Sequence, residues 1–115
     1  MSARPEPGHL LCRLDKIGDP GALGFVFGEG DDRFAGFVVR QGEAVRGYVD
    51  SCPHVGLPLA LTATGYLTRR GDYIMCSTHG ALFQPADGLC VGGPCAGRSL
   101  RPWPVEVAGE EVRTL

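Results

Sequence analysis

Two short segments of the chain each offer a thiol and an imidazole, the side chains that bind transition metals most readily. The first segment is Cys52-Pro53-His54, and the second is Cys76-Ser77-Thr78-His79. Together they supply four candidate ligands, which are Cys52, His54, Cys76 and His79. Zinc, iron and copper all accept these donors, so the ligand types alone leave the metal open.

The spacing within the first segment helps to distinguish these metals. Structural zinc sites usually take paired ligands two to four residues apart, whereas Pro53 alone separates Cys52 from His54. In a binuclear centre of mixed ligation, each segment can give its cysteine to one iron and its histidine to the other. The spacing therefore favours a [2Fe-2S] cluster, and a zinc-binding structural or interaction module remains the alternative from another class.

The surroundings of the two segments also fit an iron–sulfur cluster. The inorganic sulfides of such a cluster need backbone N–H groups as nearby hydrogen-bond donors, and the cluster needs an apolar shell around it. Glycines, which let the backbone approach closely, follow each segment at Gly56 and Gly80, and the run Gly92-Gly93-Pro94 adds a third glycine-rich stretch. The predicted apolar shell consists of Leu57, Leu59, Leu82 and Phe83.

Three sequence boxes resemble those of the Rieske iron–sulfur family. Two of them are residues 52–59 (CPHVGLPL) and 76–83 (CSTHGALF), and residues 87–94 (DGLCVGGP) resemble the family's third, proline-containing loop. The resemblance implies one [2Fe-2S] cluster per chain, with Cys52 and Cys76 on one iron and His54 and His79 on the other. It also implies an electron-transfer protein rather than an enzyme.

Four positions depart from the pattern of respiratory Rieske proteins. Leu57 and Thr78 stand where those proteins carry a disulfide between the ligand loops, and Ala81 and Phe83 stand where they carry hydroxyls near the cluster. These departures indicate the ferredoxin-like, oxygenase-associated branch. Because fewer donors then stabilise the reduced cluster, we expect a potential in the lower part of the Rieske range.

The composition predicts a mostly β chain that positions these segments. With 18 Gly and 9 Pro among 115 residues, no long window favours a helix. We expect an antiparallel β sandwich of the Rieske type, with turns at 28–32, 41–43, 85–88 and 108–110. The predicted strands are 10–17, 24–27, 34–40, 45–49, 73–76, 81–83, 100–107 and 111–115.

The length fits a single domain over residues 1–115. Residues 51–95 hold all the motifs and have poor strand alternation, so we predict that they form a cluster-binding subdomain. This subdomain would be inserted in a β base built from residues 8–50 and 96–115. Trp103, which lies between two prolines, is expected to pack in the core or at a sheet edge rather than to anchor a partner.

Charge and hydropathy exclude several classes of function. A net charge of −2 gives no general reason to bind nucleic acid, and the absence of a long apolar run or a leader-like N-terminus predicts a cytoplasmic protein without membrane contact. The resemblance to the Rieske family implies a soluble electron carrier whose partners are a reductase and an oxygenase or similar acceptor. The alternative within electron transfer is a small subunit of a reductase such as nitrite reductase.

The remaining histidine and cysteines have no assigned role in electron transfer. His9 is predicted to be a surface residue, and without further histidines a mononuclear iron site is not expected. Cys12 alternates with Leu10 and Leu14, which predicts simple packing. Cys90 and Cys95 could form a disulfide, act as a redox switch or pack as thiols; a reducing compartment favours thiols.

Overall fold

The computed structural model describes residues 4–51, 59–60, 64–77, 80–95 and 97–115, and these residues form an almost entirely β structure. The strands form three antiparallel sheets, with orders β1-β9-β8, β2-β3-β4 and β5-β6-β7. The predicted mostly β, antiparallel architecture is therefore confirmed. Within the described residues the strands are β1 Leu10–Arg13, β2 Gly21–Glu29, β3 Asp32–Gln41, β4 Ala44–Val49, β5 Ile74–Met75, β6 Leu82–Phe83, β7 Cys90–Gly92, β8 Val105–Ala108 and β9 Glu111–Thr114.

Three tight hairpins build the first two sheets. They connect β2 to β3, β3 to β4 and β8 to β9, and each two-residue turn begins with a glycine of positive φ: Gly30 at 57°, Gly42 at 65° and Gly109 at 65°. Hairpin turns with glycine at the first central position match the twist of the flanking strands. The predicted turns are confirmed, although the first is shorter than expected because Glu29 and Asp32 still pair.

Strand β3 lies at the centre of the structure and is buried on both faces. Val38 packs with Trp103 and Val112 in the core between the first two sheets, whereas Phe37 and Val39 belong to a second core that includes residues of the third sheet. Successive side chains of a strand point to opposite faces. Because Phe37, Val38 and Val39 are all apolar, strand β3 contributes to both cores. It lies between the core of the first two sheets and the core that includes the third sheet.

Trp103 packs internally, as predicted. Its side chain is 1% exposed, and it covers Gly36 so closely that a Cβ there would lie 2.5 Å from the indole ring. The strand predicted over 100–107 begins only at Val105. Pro102 and Pro104 lack the N–H group that a continuous ladder requires, which explains the shorter strand.

Other strand boundaries also differ from the predictions. The strand predicted over 10–17 ends at Arg13, because the chain then turns through a short 3-10 segment, Leu14–Lys16. Strand β2 begins three residues earlier than predicted, and strand β7 was not predicted at all. Strand β7 has only three residues, too few for a recognisable alternation, and it is stabilised by pairing with β6.

No helix within the described parts of the chain is long and apolar enough to cross a membrane.

Tyr48 links the second sheet to the turn that precedes β7. Its ring is 3% exposed, and its hydroxyl donates a hydrogen bond of 2.6 Å to the carbonyl oxygen of Pro85. Burial raises the pKa of Tyr48 to about 12. The neutral hydroxyl therefore persists in the folded protein at pH values that ionise an ordinary tyrosine.

Replacing Tyr48 with phenylalanine is expected to lower the free energy of unfolding by about 1 kcal/mol near neutral pH, the net value of one hydrogen bond. As the pH rises above 10.0, the unfolded chain loses this proton before the folded chain does. The stability that the tyrosine contributes then falls with pH. The difference in the free energy of unfolding between the wild-type protein and the variant should therefore shrink by about 1 kcal/mol between about pH 8 and 11. Urea unfolding at several pH values measures this difference. A difference that stays constant with pH would contradict the assigned role of the Tyr48 hydroxyl.

Candidate metal centre

Cys76 directly follows strand β5 and is completely buried. Its N–H group donates to the carbonyl oxygen of Ala81 at 2.9 Å, and its own carbonyl oxygen accepts the N–H group of Gly80 at 2.8 Å. Gly80 has φ +71°, a conformation that glycine adopts without strain. These bonds fix the backbone at both ends of the second candidate ligand segment, and its buried thiol is not in a disulfide.

A backbone hydrogen bond joins the last residue of the first box, Leu59, to the second box. Leu59, which is fully buried, accepts a 2.7 Å hydrogen bond from the N–H group of Ser77. Ser77 is the neighbour of Cys76, and Leu59 comes immediately after residues 52–58. The last residue of the first box, Leu59, therefore lies beside Ser77 in the second box.

The carboxylate of Asp50, which precedes the first box, contacts Leu59, the last residue of that box. One of its oxygens accepts the N–H group of Leu59 at 2.8 Å, and the other accepts the hydroxyl of Tyr66 at 2.7 Å. The N–H group of Asp50 donates to Ala35 on strand β3 at 2.9 Å. Hydrogen bonds to an ionised carboxylate are stronger than neutral ones, so Asp50 fixes residues 50 and 59 close together.

Tyr66 connects this carboxylate to the central strand. Its ring stacks on Phe37 with centroids 4.3 Å apart and an interplanar angle of 9°. Burial and the hydrogen bond to Asp50 raise the pKa of Tyr66 above its ordinary value. The ring lies so close to Gly24 that a Cβ there would overlap the hydroxyl, which explains a glycine within strand β2.

The third glycine-rich stretch packs against the second ligand segment. Gly93 has φ +88°, and a Cβ at this position would lie 2.8 Å from the Cα of Ala81. A larger residue would thus push the loop away. This contact places the loop against Ala81, two residues after the second segment.

The four predicted ligands differ in what the structure says of them. Cys76 is buried as described, whereas Cys52, His54 and His79 lie outside the described residues. Among the residues that are described, no three metal-binding side chains come together, so the ligand set stays a prediction. Of the predicted shell, Leu59 and Phe83 are fully buried, Leu82 is half-buried, and Leu57 also lies outside the described residues.

Asp50 and Tyr66 are the two positioning residues that the sequence analysis missed. An aspartate directly after a strand and two residues before Cys52 was a local signal that could have been noticed. Its partner Tyr66 stands 16 residues away, and no motif or periodicity relates the two. Their contact depends on the tertiary fold alone.

Comparison with known proteins gives a family and a fold. The family model of the Rieske [2Fe-2S] domain matches residues 9–109. No curated protein matches the sequence.

Solved structures with similar folds include ferredoxins and an oxygenase. The ferredoxin of carbazole 1,9a-dioxygenase from Nocardioides aromaticivorans IC177 is 23% identical, with a TM-score of 0.69 over 96% of this chain and 97% of that one. A complex of reduced oxygenase and oxidized ferredoxin in carbazole 1,9a-dioxygenase contains a chain that is 22% identical, with a TM-score of 0.71 over 96% and 94%. The terminal oxygenase from the Nocardioides strain is 19% identical, with a TM-score of 0.75 over 98% of this chain and 31% of that one. At these identities the similarity establishes the fold.

Proposed function

The chain belongs to the Rieske [2Fe-2S] domain family, and from this premise we propose that it carries single electrons between a reductase and an oxygenase or similar acceptor. The family match over residues 9–109 is the observation that carries the proposal. The cofactor of such a domain is one [2Fe-2S] cluster. This identification favours the cluster over the zinc-binding module that the ligand types also allowed.

We propose that Cys52 and Cys76 bind one iron and that His54 and His79 bind the other. The chemistry of the donors fits, because thiolates and imidazoles are the ligands of Rieske clusters. The described residues support the same set: Cys76 has a buried thiol, and a hydrogen bond joins its neighbour Ser77 to Leu59, the last residue of the first box. When bound, the cluster accepts and releases one electron at a time.

The protein's own residues would hold the cluster in place and limit its contact with water. The bonds from Cys76 to Gly80 and Ala81 would hold the backbone on either side of the second segment, and the carboxylate of Asp50 would hold Leu59 at the end of the first box. Apolar side chains such as Leu59 and Phe83 exclude solvent on the inner side. Such outer-shell contacts orient the ligands of a metal site.

We also propose that residues 51–95 form a cluster-binding subdomain within a single domain over residues 1–115. The strands of the third sheet all fall between residues 74 and 92, and the first two sheets use only strands from residues 10–49 and 105–114. The base would then comprise residues 8–50 and 96–115. Limited proteolysis that removes 51–95 as separable fragments, with the base left intact, would support this division.

The proposed role is that of an electron-transfer component without a catalytic site of its own. His9, the histidine outside the ligand set, packs edge-on against Phe27 with ring centroids 5.6 Å apart. Its backbone N–H group donates to the hydroxyl of Thr114. These contacts indicate a structural role at the surface for His9.

The proposed partners are a reductase and an oxygenase, and the similarity to ferredoxins of dioxygenase systems supports this choice. The fold also occurs within a much longer oxygenase chain, so permanent attachment to a catalytic subunit, as in a reductase such as nitrite reductase, is the second candidate. Size-exclusion chromatography of the protein with its oxygenase or reductase would separate the two. A carrier is expected to dissociate from its partner at low concentration, whereas a subunit would remain bound.

Anaerobic titration with dithionite tests the proposed electron transfer. The purified protein should take up one electron per chain and return it on reoxidation, without loss of iron. A protein that takes up no electrons and contains one zinc ion per chain would be the structural module instead. Uptake of two electrons would contradict a single cluster of this type.

The reduction potential is expected to fall in the lower part of the Rieske range, which extends from about −150 to +300 mV. Ala81 and Phe83 are both fully buried, and neither side chain can donate a hydrogen bond to the cluster. Without these donors the additional negative charge of the reduced state is less stabilised. A redox titration measures the midpoint, and a value above about +200 mV would contradict this prediction.

A further inference from the structure

Cys90 and Cys95 bring their thiols together at the base of the third loop. The two sulfur atoms lie 3.0 Å apart, with the Cys95 thiol donating to the sulfur of Cys90. The Cys90 thiol in turn donates to the carbonyl oxygen of Gly92 at 3.1 Å. A covalent S–S bond is about 2.0 Å long, so an approach of about 1 Å would join the two sulfurs.

The backbone holds the two cysteines in this position independently of their side chains. The N–H group of Cys90 donates to the carbonyl oxygen of Arg98 at 2.7 Å, and the N–H group of Arg98 donates to that of Cys95 at 2.9 Å. An isolated antiparallel β-bridge between Leu89 and Ser99 adds to these backbone contacts. The backbone therefore already holds the two reduced thiols close enough for a disulfide to form with little movement.

We propose that Cys90 and Cys95 are a site of reversible oxidation, at which hydrogen peroxide converts the dithiol to a disulfide. The choice of a small oxidant follows from burial. The two residues are 3% and 2% exposed, whereas Val91, Gly93 and Pro94, which lie between them in the sequence, are exposed. The buried pair therefore lies in a surface loop, and a molecule little larger than water can reach its sulfurs more readily than a bulky disulfide can.

The chemical steps balance with peroxide as the sole oxidant. The Cys90 sulfur attacks one oxygen of the peroxide, the O–O bond breaks, and a sulfenic acid and one water form. The Cys95 sulfur then displaces the sulfenic oxygen, which leaves as a second water while the S–S bond forms. The two thiols lose two electrons and two protons, and the peroxide becomes two molecules of water. A dithiol reductant reverses the change by thiol–disulfide exchange.

Oxidation would change the loop that packs against the second ligand segment. The disulfide removes the thiol proton that Cys90 donates to Gly92, and it fixes the ends of the loop by a covalent bond. Gly93, inside this loop, is in close contact with Ala81. The site would therefore report peroxide at a position next to the proposed cluster, and its existence does not depend on which metal is bound.

Peptide mapping of the holo-protein after peroxide treatment tests the proposal. Trypsin releases residues 71–98 as one peptide, because Arg70 and Arg98 bound a stretch without other cleavage sites, and this peptide contains Cys76, Cys90 and Cys95. After acid quenching and alkylation, the oxidised peptide should carry one alkyl group, on Cys76, and the Cys90–Cys95 bond. Dithiothreitol added before alkylation should restore three alkylated cysteines.

Two variants control this measurement. Cys12→Ser removes a thiol that is half-buried in the sandwich core and should leave the cross-link unchanged, whereas Cys95→Ser should abolish it and leave Cys90 oxidised to sulfinic acid, a gain of about 32 Da. Three alkylated cysteines in the treated wild-type protein would overturn the proposal. A bond from Cys76 to either cysteine, or sulfinic acid at Cys90 without a cross-link, would also overturn it. If Cys95→Ser fails to fold, the peptide map of the peroxide-treated wild-type protein still shows whether the Cys90–Cys95 disulfide forms.

Discussion

Replacing Cys76 with serine is expected to abolish assembly of the cluster, so that bound iron falls from about two atoms per chain by at least tenfold. Loss of a residue that merely supports a metal ligand already costs about 10- to 100-fold in affinity, and Cys76 is proposed to be a ligand itself. Cys76 is fully buried, and a serine hydroxyl is a much poorer ligand for iron than a thiolate. Iron and acid-labile sulfide analysis of the purified variant measures the effect.

Cys12→Ser is the matched control for this experiment. Cys12 packs against the core between the first two sheets, away from the core that contains Cys76. Burial raises the pKa of its thiol, which favours the unreactive protonated form. The control should keep its full iron content. Normal iron in Cys76→Ser would exclude Cys76 as a ligand, provided that circular dichroism shows both variants to be folded.

Replacing Asp50 with alanine is expected to lower the free energy of unfolding by about 2–4 kcal/mol and to accelerate loss of the cluster. The substitution removes two hydrogen bonds to an ionised carboxylate, each with a net value of about 1.5–3 kcal/mol before the remaining groups find other partners. Leu59 then loses the bond that fixes the end of the first ligand segment. The decay of visible absorbance in the presence of an iron chelator should be at least about tenfold faster.

Tyr66→Phe separates the two functions of the Asp50 carboxylate. This variant removes one bond and keeps both the ring stacked on Phe37 and the bond from Asp50 to Leu59. It should cost about 1–2 kcal/mol and leave cluster decay close to the wild-type rate. If Asp50→Ala loses its cluster no faster than Tyr66→Phe does, then Asp50 does not position the ligand segment.

The family and most of the strands could be predicted because their signals are local. Cys52, His54, Cys76 and His79 lie in two boxes of fewer than ten residues, and the glycines at the hairpin turns mark their positions in the sequence. Strands of six residues or more, such as β2, β3 and β4, provide enough side chains for the pattern to be recognised. These features depend on neighbours along the chain.

The features that escaped prediction depend on contacts between distant residues. The bond between Asp50 and Tyr66, the burial of Phe37 and Val38 on opposite faces of β3, and the pairing that makes β7 a strand all arise from tertiary packing. The sequence did identify Cys90 and Cys95 as a pair without deciding their state. In the structure their sulfurs are close but not bonded.

The EPR spectrum of the dithionite-reduced protein is the most direct test of the proposed ligand set. A cluster bound by two cysteines and two histidines should give a rhombic signal whose average g value lies below that of all-cysteine [2Fe-2S] clusters, and its intensity should correspond to one spin per chain. A signal with the average g value of all-cysteine ligation would contradict the assignment of His54 and His79. A colourless, EPR-silent protein with one zinc ion per chain would contradict the cluster itself.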